Sequence, residues 1–458
     1  MTRTLGGAAM ISKRLSRSTL PAFACALVNF VAAQGLILAG VTWPARAISA
    51  PGTLIVVHLL VIGWLSLLML GALFQFVPVI TCRPLPSQPL ALATVAILEA
   101  GLAGMVCGFI GFGGGSRELA IALPSGGAVV IVGVLLGCWN IGVPLIRSRP
   151  LPLPGRMILS GLIFLILTVT LGLSFALALT VAPLTPNLAP LMSSVGDHAI
   201  AGLGGWFTLT AMGVGYKLFP MFMLAPEERG ITGECVHVLG AAGFALAIGA
   251  GVARIWLTAE PLRIAQWTGY VAIGLAVTLY LWDIVRIYRT RRRALIEAHN
   301  RAVSGAFGFL GIATMLAAVF LATGHPDVGS PLVVFLLIFG WLTGLALTQL
   351  YKIVPFLTWL SRYGSHLGRG GVVPRVQDLV RERRGRRWFA LYFLGVLLGA
   401  VSVLLRSGLA FRFDFALVTI STLGLITEYW RAWRGHYARP PNSRPDAPPF
   451  LPDPRGSP

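Results

Sequence analysis

The chain has 458 residues, of which 56% are hydrophobic and 11% are charged, and its mean hydropathy is +0.80. Soluble domains carry about 25% charged residues, so this composition excludes a soluble protein and predicts one that lies in a lipid bilayer. The net charge of +20 would also suit a nucleic-acid-binding protein. The Lys and Arg residues are instead concentrated in the segments that would lie in the cytoplasm, as in other membrane proteins, and we expect no nucleic-acid partner.

Twelve mostly apolar stretches are each long enough to cross the bilayer as a helix. In chain order they cover about 20–41, 53–80, 88–110, 125–146, 157–181, 196–222, 233–257, 265–288, 300–322, 331–358, 388–406 and 413–432. The predicted fold class is therefore all-α and integral to the membrane. The first stretch is long for a signal peptide, so we expect it to be retained as a span.

The segments outside the spans predict the orientation of the chain. With the N-terminus in the cytoplasm, most of the 36 Lys and Arg residues lie on the inside, as the positive-inside rule requires. We expect a basic cytoplasmic tail over 1–19, a membrane domain over 20–436 with a basic cytoplasmic loop at 361–387, and a Pro-rich disordered tail over 437–458. The pattern suits a multi-pass protein of a bacterial inner membrane with both termini in the cytoplasm.

One pattern occurs in spans two, six and ten and nowhere else. Each copy has a Gly-Trp pair, followed from the Trp by a hydroxyl residue at +2, a small residue at +7, an aromatic at +10, Gln or Lys at +11 and Pro at +14. The copies begin at Trp64, Trp206 and Trp341, and their later members are Ser66, Thr208 and Thr343; Gly71, Gly213 and Thr348; Phe74, Tyr216 and Tyr351; Gln75, Lys217 and Lys352; Pro78, Pro220 and Pro355. On a helix the Trp and the +7, +11 and +14 positions share one face. The repeat predicts three pseudo-repeated four-helix units, whereas carriers built from two halves repeat every six spans.

Four polar side chains within the spans are candidates for function. Lys217 and Lys352 lie near the inner ends of their spans, where lysines either extend to the headgroups or line a proton or anion path. Gln75 occupies the matching position of span two. Glu99 lies in the middle of span three, where a carboxyl is expected to be protonated, paired or hydrated. We interpret Glu99 as a proton-relay or pairing residue.

This architecture resembles subunit I of heme-copper oxidases and the large subunit of nitric oxide reductase. The segments that begin at His58 and His198 read like short, divergent bacterial members of that superfamily: HLLVIGWLSLLMLGALFQFVP and HAIAGLGGWFTLTAMGVGYKLFP. The resemblance covers all twelve spans in topology and spans two, six and ten in motif. It implies heme and copper as cofactors, a role in respiration or nitrogen-oxide chemistry, and an electron-donating partner subunit.

The resemblance also implies roles for individual histidines. His58 matches the helix-two ligand of the low-spin heme, and His198 matches the copper ligand of helix six. Span ten has no His, so His325 in the preceding outer loop is the nearest candidate there. Span seven has only His237, near its cytoplasmic end, where the family has a pair near the middle. The usual binuclear centre is therefore not expected. The resemblance then implies one heme or one copper ion, bound near the outer face.

Two other function classes stay open. A permease or exporter of metal or a small solute would depend on Glu99, Lys217 and Lys352. A scaffold protein would keep the fold without the chemistry. If the protein is an enzyme, it is a membrane oxidoreductase of the cytochrome oxidase or nitric oxide reductase type, and electrons would come from a partner because the chain has no CxxCH motif.

Overall fold

The computed structural model describes residues 2–114, 117–181, 184–227, 230–324, 326–364 and 373–436, with side chains in all of these except 2–18, 117 and 326–329. Among the described residues, eleven helices are long and apolar enough to cross a membrane. One further helix, α6, lies between α5 and α7 and has three consecutive segments, Val195–Ala199, Ile200–Thr208 and Leu209–Met223. The eleven are α1 (Thr19–Leu38, which continues a helix that begins at Thr2), α2 (Pro51–Thr81), α3 (Gln88–Phe112), α4 (Glu118–Arg147), α5 (Leu153–Thr180), α7 (Ile231–Ala253), α8 (Glu260–Arg289), α9 (Ala298–Ala322), α10 (Ser330–Tyr363), α11 (Glu382–Leu404) and α12 (Gly408–Arg434).

The all-helical architecture with twelve long helices is confirmed. Helix α6 is not among these eleven, and it carries the polar residues Asp197, His198 and Lys217 as well as several glycines. Most of its side chains are buried inside the bundle. In the described part of the loop 361–387, a 3₁₀ turn covers Val376–Leu379, and most of the arginines that follow it lie in the first turns of α11. The tail 437–458 lies outside the described residues.

The packing of the helices repeats every four. In each unit the first helix packs on the second and on the third, and the third packs on the fourth: α1 on α2 and α3, α5 on α6 and α7, α9 on α10 and α11. Each unit also contacts the next in the same way, since α4 packs on α5, α8 on α9 and α12 on α1. The three units therefore form a closed bundle with α2, α6 and α10 facing its centre.

The Trp of the sequence repeat closes this centre. All three indoles are buried, and each donates its N–H to the +2 hydroxyl of another unit at 3.0 to 3.3 Å: Trp64 to Thr343, Trp206 to Ser66 and Trp341 to Thr208. We call these six side chains the indole ring. At this level all three helices are π-helical, over Leu59–Ser66, Ile200–Thr208 and Leu336–Thr343. Such wide turns are rare and short. Their presence at the same level of α2, α6 and α10 is therefore a shared feature of the three units.

The glycine before each Trp lets the first helix of the unit approach closely. A Cβ at these glycines would lie 2.5 to 2.7 Å from the Cγ atom of a residue on the neighbouring helix: Gly63 from Asn29, Gly205 from Phe164 and Gly340 from Phe309. Small residues serve helix packing in membranes in this way. The Gly-Trp pairs are therefore explained by the architecture itself and need no ligand.

Replacing Gly205 by Ala should lower the free energy of unfolding by about 1–3 kcal/mol, because the methyl group would overlap the ring of Phe164. Gly274 of α8 is the matched control, since a Cβ there meets no atom within 4 Å. Gly274→Ala should be neutral or slightly stabilising, because Ala favours helix more than Gly does. Unfolding in mixed detergent micelles measures both, and equal effects of the two substitutions would contradict the packing role.

Candidate functional site

His58 and His198 lie at the same end of the bundle, which we call the histidine end and which the sequence predicts to be outer. His58 is the last residue before the π-helical segment of α2, and its Nδ1 lies 2.7 Å from the carbonyl oxygen of Leu54. Its ring packs on Phe109 of α3 with the ring centres 5.0 Å apart. The imidazole is thus held by one turn of its own helix and by one aromatic neighbour.

His198 precedes the π-helical segment of α6 and is held by α5. Its Nδ1 lies 3.0 Å from the carbonyl oxygen of Thr168, and its ring meets Phe175 edge-to-face at 5.5 Å. Gly172 makes room for the ring, since a Cβ there would lie 3.1 Å from Cε1.

Both histidines use Nδ1 for the hydrogen bond to a backbone carbonyl and leave Nε2 for another partner. A carbonyl oxygen can only accept a hydrogen bond, so Nδ1 carries the proton in each ring and Nε2 of the neutral ring keeps a lone pair. Within the described part of the chain, neither Nε2 takes part in a hydrogen bond. Histidines that bind metals are oriented in this way, with the other ring N–H donated to a carbonyl or carboxylate.

Among the described residues, no other histidine is found beside this pair. His325 lies outside the described residues. His237 lies near the start of α7, toward the opposite end of the bundle, where its Nε2 is 3.1 Å from the hydroxyl of Ser160. Within the described ranges, no three His, Cys, Asp or Glu side chains form a group that could hold a metal ion. A three-imidazole copper site is therefore not assembled by these residues, whereas one imidazole suffices for an axial ligand of heme.

The opposite end, which we call the lysine end, pairs both repeat lysines with glutamates. Lys217 forms an ion pair with Glu227, and both side chains are partly exposed. Lys352 lies 2.6 Å from Glu297, whose side chain is 10% exposed. Gln75, at the matching position of α2, buries its Oε1 without a hydrogen-bond partner. The two lysines are thus part of ion pairs rather than free to extend to headgroups.

Glu297 holds the larger of these two networks. Besides Lys352, Glu297 forms an ion pair with Arg293 at 2.7 Å and accepts a hydrogen bond from Gln377 at 3.1 Å. Burial alone would raise the pKa of Glu297, but the hydrogen bond and charge of Lys352, with further help from His299 and Gln377, hold it below its usual value. Glu297 was not recognisable from the sequence, because it lies just before a span and 55 residues from Lys352.

Asp283 is a second buried carboxyl that the sequence-based predictions did not include. This residue of α8 is fully buried and accepts a hydrogen bond of 2.8 Å from Tyr216, the +10 aromatic of α6. The signal was available, because an aspartate within an apolar span is unusual. The sequence indicated Glu99 as a proton-relay or pairing residue, and in the structure Asn29 of α1 donates its side-chain N–H to Glu99 at 2.8 Å.

The structure is similar to a solved heme-copper terminal oxidase, described as a dimer in a cryo-EM study of its catalytic mechanism. The TM-score is 0.56, with 10% sequence identity, and the match covers 94% of this chain and 84% of that chain. At this identity the likeness shows the fold alone. No family model matches the sequence, and no curated protein does. The predicted heme-copper-oxidase-like fold is confirmed by this match.

Proposed function

We propose that this membrane protein, which has the fold of a heme-copper oxidase, binds a heme or a copper ion through Nε2 of His58 and His198 at its histidine end. The shared orientation of the two imidazoles supports this proposal most directly, because each carries its proton on Nδ1 and turns a lone pair away from its carbonyl partner. We place the protein in a respiratory or nitrogen-oxide-related process of a bacterial inner membrane, with its histidine end outward and an electron-donating partner.

The chain's own residues would position the group rather than react with it. The carbonyl of Leu54 and the ring of Phe109 fix the plane of His58, and Thr168 and Phe175 do the same for His198. A bound heme iron or copper ion would supply one-electron chemistry or binding of a diatomic ligand. The described residues lack the imidazoles of the usual binuclear centre. We therefore propose a reduced ligand set and not an oxidase of the usual type.

The test is a visible difference spectrum, reduced minus oxidised, of the detergent-purified protein, with iron and copper measured on the same sample. We expect a stoichiometric metal, and we expect His58→Ala or His198→Ala to lower its content at least fivefold. His237→Ala is the matched control, because its Nε2 already bonds to Ser160, and it should leave the metal content unchanged. A colourless, metal-free protein would overturn the proposal, as would equal losses in all three variants.

A permease is the second candidate, and one observation favours it. Asn29 and Glu99 form a polar pair in the middle of the helices α1 and α3. A carboxyl is energetically costly there, and such residues usually serve a function. Lys217 and Lys352, which the sequence suggested as path residues, are each paired with a glutamate. Loss of solute flux in a colourless protein on replacing Glu99 would favour this candidate. No effect of any of these replacements on metal content or flux would favour a scaffold.

A further inference from the structure

The contact between the first and third helices of a unit is aromatic in two of the three units. Phe164 of α5 meets Phe244 of α7, and Phe309 of α9 meets Phe393 of α11, in both cases with ring centres 5.9 Å apart. Both pairs lie against the Gly-Trp segment of the second helix, as the close approach of Phe164 to Gly205 and of Phe309 to Gly340 shows. We call this contact the clasp of a unit.

In the first unit the clasp is polar. Asn29 of α1 takes the place of the phenylalanine, since a Cβ at Gly63 would lie 2.7 Å from its Cγ. Glu99 of α3 is its partner, and the Asn29 side-chain nitrogen lies 2.8 Å from Glu99 Oε1. The same nitrogen also reaches the carbonyl oxygens of Cys25 at 3.1 Å and Gly63 at 3.4 Å.

The fold does not require this polar pair. Phenylalanines make the same helix contact in the other two units, and apolar side chains have no desolvation penalty in the membrane interior. A carboxyl near the middle of a spanning helix raises the energy of the folded protein unless it is neutral or well paired. A polar clasp in one unit of three is therefore a departure from the repeat that stability does not explain.

The carboxyl can be reached from the hydrocarbon side. Glu99 lies near the middle of α3 and is partly exposed, and the neighbouring positions Leu92, Ala96 and Ala103 on that face are exposed. None of the ion pairs formed by the described residues involves Glu99, and Cys25 is the titratable side chain that interacts with it. Asn29 donates to Oε1, which stabilises the ionised form once a proton has left.

We infer that Asn29 and Glu99 form a reversible proton-binding site within the membrane, open toward the lipid side of the first unit. The carboxyl carries the proton, and the Asn29 amide stabilises the carboxylate that remains on release. This site is separate from the histidine end and exists whether or not a metal is bound there.

An apolar carbodiimide tests the site in native membranes. Dicyclohexylcarbodiimide reacts with a protonated carboxyl: its central carbon bonds to the carboxyl oxygen, a carbodiimide nitrogen takes the proton, and rearrangement gives a stable acylurea without a leaving group. Mass spectrometry of peptides should find Glu99 labelled, with labelling that falls as the pH rises. Glu260, an exposed carboxylate beside Arg263, is the internal control and should remain unlabelled. Labelling of both Glu99 and Glu260, or of neither, would overturn the proposed proton-binding site.

Two variants separate proton binding from folding. Asn29→Phe with Glu99→Phe copies the aromatic clasp of the other units, so it should fold and lose the label. Asn29→Leu keeps the carboxyl but removes the donor, so labelling should persist to a pH about one unit higher, as expected for losing one hydrogen bond to a charged oxygen. An unchanged pH profile in Asn29→Leu would overturn the role of Asn29. Metal content should be normal in both variants, which distinguishes this site from that at His58 and His198.

Discussion

Replacing Glu297 by Gln is expected to lower the free energy of unfolding by about 3–5 kcal/mol, the range found when one partner of a buried ion pair is removed. The substitution keeps the shape of the side chain but leaves Lys352 and Arg293 without the charge that both contact. Lys352 retains 18% of its side-chain exposure, so water offsets part of the loss and the lower half of the range is the expected result.

Glu227→Gln is the matched control for this experiment. Lys217 and Lys352 occupy the same position of the sequence repeat, and each pairs with one glutamate, but Glu227 is 45% exposed where Glu297 is 10% exposed. Exposed ion pairs contribute about 0–1 kcal/mol, so Glu227→Gln should have a small effect. Unfolding in mixed micelles measures both variants. If the two losses were equal, burial of the Glu297 network would not be the source of its strength.

The same network sets the direction of the pH dependence. The pKa of Glu297 is lower in the folded protein than its usual value, despite the opposing effect of burial, because Lys352, His299 and Gln377 favour the carboxylate. A lowered folded-state pKa contributes stability above the unfolded value of about 4.3, and this contribution is lost as the pH falls through the folded-state pKa. Stability should therefore fall on acidification below about pH 4.3 in the wild type and fall less in Glu297→Gln.

The sequence repeat predicted the bundle because its signal is local. Trp64, Trp206 and Trp341 share their offsets to later residues on one helix face, and a helical face can be read from spacing alone. The matching hydroxyls at +2 were visible too, but their role was not. Each accepts from a Trp of another unit, more than 130 residues away in the chain, and spacing within one helix carries no information about such partners.

The candidate sites show the same division between local and long-range information. His58 takes its orienting carbonyl from one turn earlier in its own helix, whereas His198 takes it from Thr168 on another helix. Glu99 was recognisable as an unusual carboxyl, but the polar clasp became recognisable only when Phe164 and Phe309 were found at the equivalent positions. Asp283 could have been found from its apolar surroundings alone.

Trp206→Ala should destabilise the bundle by about 3–5 kcal/mol, the range for removing a large buried aromatic side chain. The indole is 1% exposed, contacts Phe207, and lies where the three units meet, so the cavity would open at the centre of the structure. Trp139 is the matched control, because it lies on the outer surface of α4 with 53% exposure. Trp139→Ala should change the unfolding free energy by about 0.5 kcal/mol or less.

A second substitution at the same position separates packing from hydrogen bonding in the indole ring. Trp206→Phe keeps most of the apolar volume but removes the N–H that donates to the Ser66 hydroxyl. Loss of this hydrogen bond should lower the free energy of unfolding by about 1 kcal/mol, in addition to the loss caused by the smaller ring. Ser66→Ala removes the acceptor instead and leaves the indole N–H buried. If the bond closes the ring between units, the two substitutions combined should cost less than the sum of their separate effects, because each removes the same interaction. Strict additivity would mean that the Trp206 indole stabilises the centre by packing alone and that its hydrogen bond to Ser66 contributes nothing to the closure of the ring.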